Sequence, residues 1–132
     1  MKQFVFYSIL ITVLFGCSKP QDTPALKSIL TKGTWRISLF KDNGNNHTYL
    51  FTHWRFTFSS DKTLQVTNGT DTYYGTWHEN TAGDTFTLDI NAPELELIYI
   101  SQFWHNELLN LKQALFHNDR VNVTKALQFT KL

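Results

Sequence analysis

From Trp35 onward, apolar and polar side chains alternate with a period of two. Trp35, Ile37 and Leu39 are interleaved with Thr34, Arg36 and Ser38; Trp54, Phe56 and Phe58 with His53, Arg55 and Thr57; Leu64 and Val66 with Thr63, Gln65 and Thr67. Successive side chains of a strand point to opposite faces, so each run predicts a strand with one packed face and one wet face. Tyr73 to Trp77, Thr85 to Ile90, Leu95 to Ser101, Leu108 to Lys112 and Ala126 to Lys131 bring the expected number to about eight short strands. Upstream the period is helical: Pro24 to Leu30 predicts a short helix with Thr23 as N-cap, Pro24 at its first position, and Leu26, Ile29 and Leu30 on one side. Gly33 ends it.

Turn residues separate these runs. Asp42-Asn43-Gly44-Asn45-Asn46 predicts a long polar loop, Ser59-Ser60-Asp61-Lys62 a tight hairpin, and Asn68-Gly69 and Ala82-Gly83-Asp84 turns that need positive φ. Asn118-Asp119-Arg120 reads as another turn. Phe103 and Trp104 either extend a strand or cap a barrel end. Strands at this even spacing, with no crossover helices between them, favour an antiparallel barrel or sandwich.

The first residues follow a different pattern. Met1-Lys2-Gln3 is a short basic start, and Phe4 to Phe15 is apolar apart from Ser8 and Thr12. About a dozen apolar residues make a signal-peptide core, whereas a spanning helix needs roughly twenty. Leu14-Phe15-Gly16-Cys17 then resembles the lipobox of bacterial lipoproteins, with an aliphatic residue at −3, a small one at −1 and the cysteine at +1. The resemblance implies that residues 1–16 are removed and that Cys17 is lipidated. Residues 17–24, with Pro20 and Pro24 among polar side chains, then form a tether to a domain spanning residues 25–132. The expected location is the cell envelope, anchored through the N-terminal lipid to the outer membrane, with the periplasmic and external faces both open.

Charge and cysteine content narrow the function. Of 12 basic and 11 acidic residues only Lys2 lies in the leader, so the remainder is balanced. Neither nucleic acid nor an anionic surface is therefore expected as the main partner, because phosphate binding relies on clustered Lys and Arg. The single cysteine excludes an internal disulfide and any CxxC site.

Gly33-Thr34-Trp35, placed directly after a short helix and opening the first strand, resembles the GxW signature of lipocalins. Gly75-Thr76-Trp77, the Gly83-Asp84 turn, Phe86-Thr87-Leu88 and the terminal Leu127-Gln128-Phe129-Thr130-Lys131 resemble the small lipocalin-like domains of lipoproteins from Bacteroidetes-type bacteria. This implies an all-β fold: an up-and-down antiparallel barrel of about eight strands whose N-terminal helix closes one end. A particular ligand is not implied.

No residue set reads as an active site, so an enzyme is not expected. His47, His53, His78, His105 and His117 show neither HxH nor HExxH spacing, and no metal or cofactor is expected. Glu94 and Glu96, on one face of the expected Leu95 strand, read as a solvated edge. The aromatics carry more: of 4 Trp, 5 Tyr and 11 Phe, only Phe4, Phe6, Tyr7 and Phe15 fall in the leader. Trp35, Phe56, Trp77, Phe86 and Phe129 have inward parity and are the candidate ligand contacts of a barrel interior. An interior of this strand number is just wide enough for side chains or one small ligand. Two readings stay open: a membrane-anchored binding module holding a small apolar or amphipathic ligand, and a filled barrel that contacts an envelope protein as accessory subunit, adhesin or protease inhibitor. In the second, the Asp42 to His47 loop or a Phe103-Trp104 tip would meet the partner.

Overall fold

The computed structural model describes residues 25–80, 82–120 and 123–132. The elements run α1 (Leu26–Leu30), β1 (Trp35–Asp42), β2 (Asn45–Asn46), a 3-10 turn (Thr48–Phe51), β3 (Arg55–Phe58), β4 (Thr63–Thr67), β5 (Thr72–Glu79), β6 (Thr85–Asn91), α2 (Leu95–Ile100), β7 (Phe103–Leu109), β8 (Gln113–Arg120) and β9 (Val123–Lys131). Each ring strand pairs antiparallel with the next, and β9 returns to β1, from Trp35↔Lys131 to Asp42↔Lys125. The result is a closed barrel of eight strands, with the two-residue β2 attached to the far end of β1. The β1–β3 junction is the shortest, registered at Trp35↔Phe56 alone.

The registers sort the connections into two ends. At one lie α1 and the β3–β4, β5–β6 and β7–β8 turns; at the other lie the β1–β2 turn, the 3-10 turn, the β4–β5 turn and α2. Leu26, Ile29 and Leu30 of α1 are buried together, as the spacing predicted, and close the first end. Leu97 and Ile100 of α2 and Phe51 of the 3-10 turn are buried under the second. Residues 1–24 lead into the α1 end at Ala25; the leader, Cys17, the tether and the Thr23 and Pro24 helix positions lie outside the described residues.

Period-two burial holds on β3, β4 and β6, where Phe56, Phe58, Leu64, Val66, Phe86, Leu88 and Ile90 point inward. On β1 it breaks. A register shift between Ile37 and Leu39 inserts a bulge, so the next buried residue is Phe40 and Leu39 turns partly outward. Gly75 pairs with Ile90, and a Cβ there would overlap the Asp89 carbonyl oxygen, so only glycine permits this approach of β5 to β6.

Three expectations are corrected. Leu95 to Ser101 is helical from Leu95 to Ile100: Leu97 and Ile100, three apart, are buried, while Leu95, Ile98 and Tyr99 face out. The alternation of leucine with glutamate there was a coincidence over four residues, and Ser101 Oγ satisfies a last-turn carbonyl by donating to Leu97 O at 2.8 Å. Leu108 to Lys112 is the end of β7 and a turn, since the strand begins at Phe103. Asn118-Asp119-Arg120 is not a turn; β8 runs through it, and the buried Asn118 amide donates to Gln102 Oε1 at 3.0 Å and Phe103 O at 2.7 Å.

Candidate functional site

The five inward aromatics are brought together. Trp35, Phe56, Trp77, Phe86 and Phe129 are all fully buried. Phe129 meets Phe56 and Phe58 edge to face at 5.2 and 5.5 Å, Phe58 meets Trp77 at 5.7 Å, and Phe86 stacks on Phe116 at 4.6 Å. These separations are those of rings in direct contact. At the level of these side chains the barrel is filled by the side chains themselves.

Each indole N–H is satisfied, and three of the bonds set the ends of the barrel. Trp35 donates to Leu30 O at the end of α1 (2.9 Å), Trp104 to Ile100 O at the end of α2 (3.0 Å), and Trp54 to Glu96 Oε1 on α2 (3.2 Å). Trp77 donates to Ser59 O in the β3–β4 turn at 3.1 Å. Buried indoles therefore act as posts from which the capping helices hang. Tyr73 adds another, donating to Glu94 Oε1 at 2.5 Å. That bond, with desolvation and the nearby Glu94 and Asp71 charges, pushes its phenol up to about 12.

Space is found at the ends. A pocket of about 230 Å³ lies between Ala25, Leu26, Gly83, Asp84, Asn106 and Leu109, where residues 1–24 lead in. A second, of about 220 Å³, opens at the α2 end between Phe40, Asp42, His47, Leu50 and Tyr99. Its walls come from β1, the 3-10 turn and α2. Phe40 is held edge to face on Phe51 at 5.2 Å, and its N–H donates to Thr48 Oγ1 at 2.9 Å. Asp42 contributes Oδ1, buried and without a hydrogen-bond partner among the described residues, while its Oδ2 lies 3.9 Å from Lys125 Nζ. Exposed Tyr49, Leu95, Ile98 and Tyr99 lie on the elements that form this rim. The arrangement suits a small apolar group seated against Phe40, Leu50 and Tyr99.

The histidines agree with the sequence in part, and the carboxylates do not. His53 and His78 are exposed, and His47 lines the rim pocket. His105 and His117, distant in sequence, face each other across β7 and β8 with rings 5.4 Å apart. His117 sits 3.6 Å from Glu107 and 3.7 Å from Asp119. Among the described residues, however, no three His, Cys, Asp or Glu side chains are grouped as a metal ion requires. Glu94 and Glu96 are not strand neighbours on a solvated edge; they open α2 and accept from Tyr73 and Trp54.

No protein-family model matches the chain, and no curated protein does. Among solved structures, a DUF4847 family protein from Bacteroides vulgatus ATCC 8482 superposes with a TM-score of 0.59. What the two share is the fold. The superposition covers 82% of this chain and 98% of the Bacteroides one at 15% identity. The likeness therefore lies in how the barrel is built.

Asp42 and His47 belong to the loop singled out in the sequence, but Leu50 and Tyr99 do not. Leu50 sits in a 3-10 turn too short to show a period, and Tyr99 on a helix hidden by the false alternation. The Phe103-Trp104 pair is not a tip: Trp104 is fully buried within the barrel and Phe103 lies on its outer wall.

Proposed function

We propose that this chain is a non-enzymatic, lipid-anchored module of the bacterial cell envelope that engages a partner protein through the barrel rim between the 3-10 turn and α2. The observation carrying this reading is the filled interior together with a pocket at the end opposite α1. An anchor at Cys17, joined by residues 17–24 to Ala25, would tie down the α1 end. Eight extended residues reach at most about 28 Å, so the domain would stay near the bilayer with its α2 end directed away.

On this reading Tyr49, Leu95, Ile98 and Tyr99 are presented where a partner can reach them. The Phe40, Leu50 and Tyr99 wall receives one apolar side chain of the partner. A small apolar ligand is the second reading, and the same pocket favours it, since the space available to it is at the rim and not among Trp35, Phe56, Trp77, Phe86 and Phe129.

The anchor is tested by Cys17→Ala in the native cell, which should move the protein from the membrane fraction to the soluble one. For the rim, a photo-crosslinking residue at Tyr99 should give a discrete protein adduct, absent when the same residue stands at Leu111 and lost on Leu50→Glu. No adduct at Tyr99, combined with a small molecule retained in native mass spectrometry, would replace the partner reading by the ligand one.

A further inference from the structure

The opposite end of the barrel carries a surface of different character. The turn between β7 and β8 exposes Leu111, and the residue after β9, Leu132, is also exposed, at 69% and 60% of full accessibility. Backbone bonds bring the two together with the turn that follows α1. Lys131 N donates to Lys112 O at 2.8 Å and Leu132 N to Thr34 O at 3.0 Å. The Lys131 side chain lies across Gly33, with Cε 2.8 Å and Nζ 3.6 Å from where a Cβ would stand, a course open because Gly33 has none and takes φ +93°. Lys32 directly precedes Gly33. One corner of the rim, where β7, β8, β9 and β1 meet the α1 turn, thus holds Lys32, Lys112 and Lys131 around two exposed leucines.

No carboxylate side chain occurs in the segments 31–34, 110–113 and 130–132 that build this corner. Of the acids of this end, Asp61, Glu79 and Asp84 lie in the β3 to β6 sector and Glu107 lies on β7, 3.6 Å from His117; Glu79 is 3.9 Å from Lys62 and accepts from Lys27 N, and Asp61 accepts from Thr63. Lys32, Lys112 and Lys131 form no ion pair among the described residues. Exposed leucines ringed by unpaired lysines are the pattern of a surface that lies in a lipid interface, apolar groups entering between headgroups and amines meeting phosphates. A protein partner with the same chemistry would need an acidic rim around an apolar hollow. A bilayer offers both over any area, and the chain leads out of the domain at this same end, at Ala25.

We propose that this corner is a membrane-contact face, with Leu111 and Leu132 entering the headgroup region of a phospholipid bilayer and Lys32, Lys112 and Lys131 contacting lipid phosphates. The face gives the barrel a contact of its own with the membrane at the α1 end. The proposal stands on the corner's own residues and holds whether or not Cys17 is acylated.

The test uses the full chain with Leu111→Cys carrying a polarity-sensitive dye. It is mixed with phosphatidylcholine vesicles with and without a minority of phosphatidylglycerol. The wild-type chain, with Cys17 as its sole thiol, is treated identically to correct for label there, and Tyr49→Cys reports from the other end. The dye at 111 should shift to the blue with anionic vesicles and the dye at 49 should not. Lys32→Glu combined with Lys112→Glu should weaken the dependence on anionic lipid by roughly tenfold to a hundredfold, as each basic residue near a charged bilayer contributes separately; these exposed sites leave the Gly33–Lys131 packing untouched. A dye at 111 that stays in water, an equal shift at 49, or a shift indifferent to the lysine reversals would overturn the proposal. Failure of the anchor alone would show as free label at Cys17, with the response at 111 unchanged.

Discussion

The hydroxyl of Tyr73 on β5 donates a 2.5 Å hydrogen bond to Glu94, the residue that caps α2. Beside it, Trp54 packs on Tyr73 with ring centres 6.0 Å apart and donates to Glu96, so two aromatic side chains of the barrel hold the first turn of the helix through two carboxylates. The rim pocket borrows one wall from that helix, and the pocket's shape depends on this pair of bonds.

The Tyr73 bond predicts a loss of stability in alkali. The folded phenol titrates at about 12, above the ordinary 10, so the folded protein holds this proton more tightly than the unfolded chain. Its contribution is fully present below pH 10 and disappears as pH rises toward 12. Tyrosinate absorbance should show one late-titrating group. Tyr73→Phe should remove it and flatten the stability profile in that window.

Phe86→Ala should cost about 3–5 kcal/mol, measured by urea denaturation, because it deletes a ring stacked on Phe116 and in contact with Phe58 and Trp77. The hole it leaves should be dry and apolar. Benzene should raise the thermal midpoint of the variant and leave the wild type unchanged, whereas a wild type stabilised equally would mean that the interior already holds a cavity.

Gly75→Ala introduces a methyl group against the backbone of β6. Backbone cannot rotate away as a side chain can, so the expected cost is about 3 kcal/mol or more. Circular dichroism melting of this variant should show a far larger drop than Thr72→Ala on the same strand, where the side chain is exposed.

Trp104→Phe removes the donor to Ile100 O at the end of α2. Ile100 O still accepts from Gln102 N at 2.9 Å, so the loss is that of one hydrogen bond, about 0.5–1.5 kcal/mol. The effect should be local: α2 amides should exchange faster with solvent, and those of the β3–β4 hairpin should keep their protection. A uniform loss across the barrel would mean that Trp104 supports the core and not the helix.

Much of the barrel was legible because its strands obey a period of two with one face buried, and Trp35, Phe56, Trp77, Phe86 and Phe129 could be assigned inward from parity alone. Parity fails where the backbone departs from regular pairing. The β1 bulge moves burial from Leu39 to Phe40, and no turn residue marks it. The stretch from Glu94 to Leu97 alternates like a strand, yet Leu97 and Ile100 are what the barrel end buries, and tertiary packing settles the matter as a helix. The rim was half legible: Asp42 and His47 stood in a conspicuous polar loop, but its apolar wall is assembled from Phe40, Leu50 and Tyr99, three elements that only the closed ring brings together. The same holds for His105 and His117, whose meeting depends on the β7–β8 register.

Closure of the ring depends on one seam. Every other pair joins strands next to or near one another along the chain, with only β2 and the 3-10 turn between β1 and β3, but β9 must find β1 from the far end of the domain, and that search is the step most exposed to loop entropy. Until it succeeds, β1 and β9 are two unprotected edges of matching register, and the β9 of one molecule can zip onto the β1 of another when the protein is concentrated. Any lesion that weakens the seam should therefore yield strand-exchanged dimers before it yields unfolded chains.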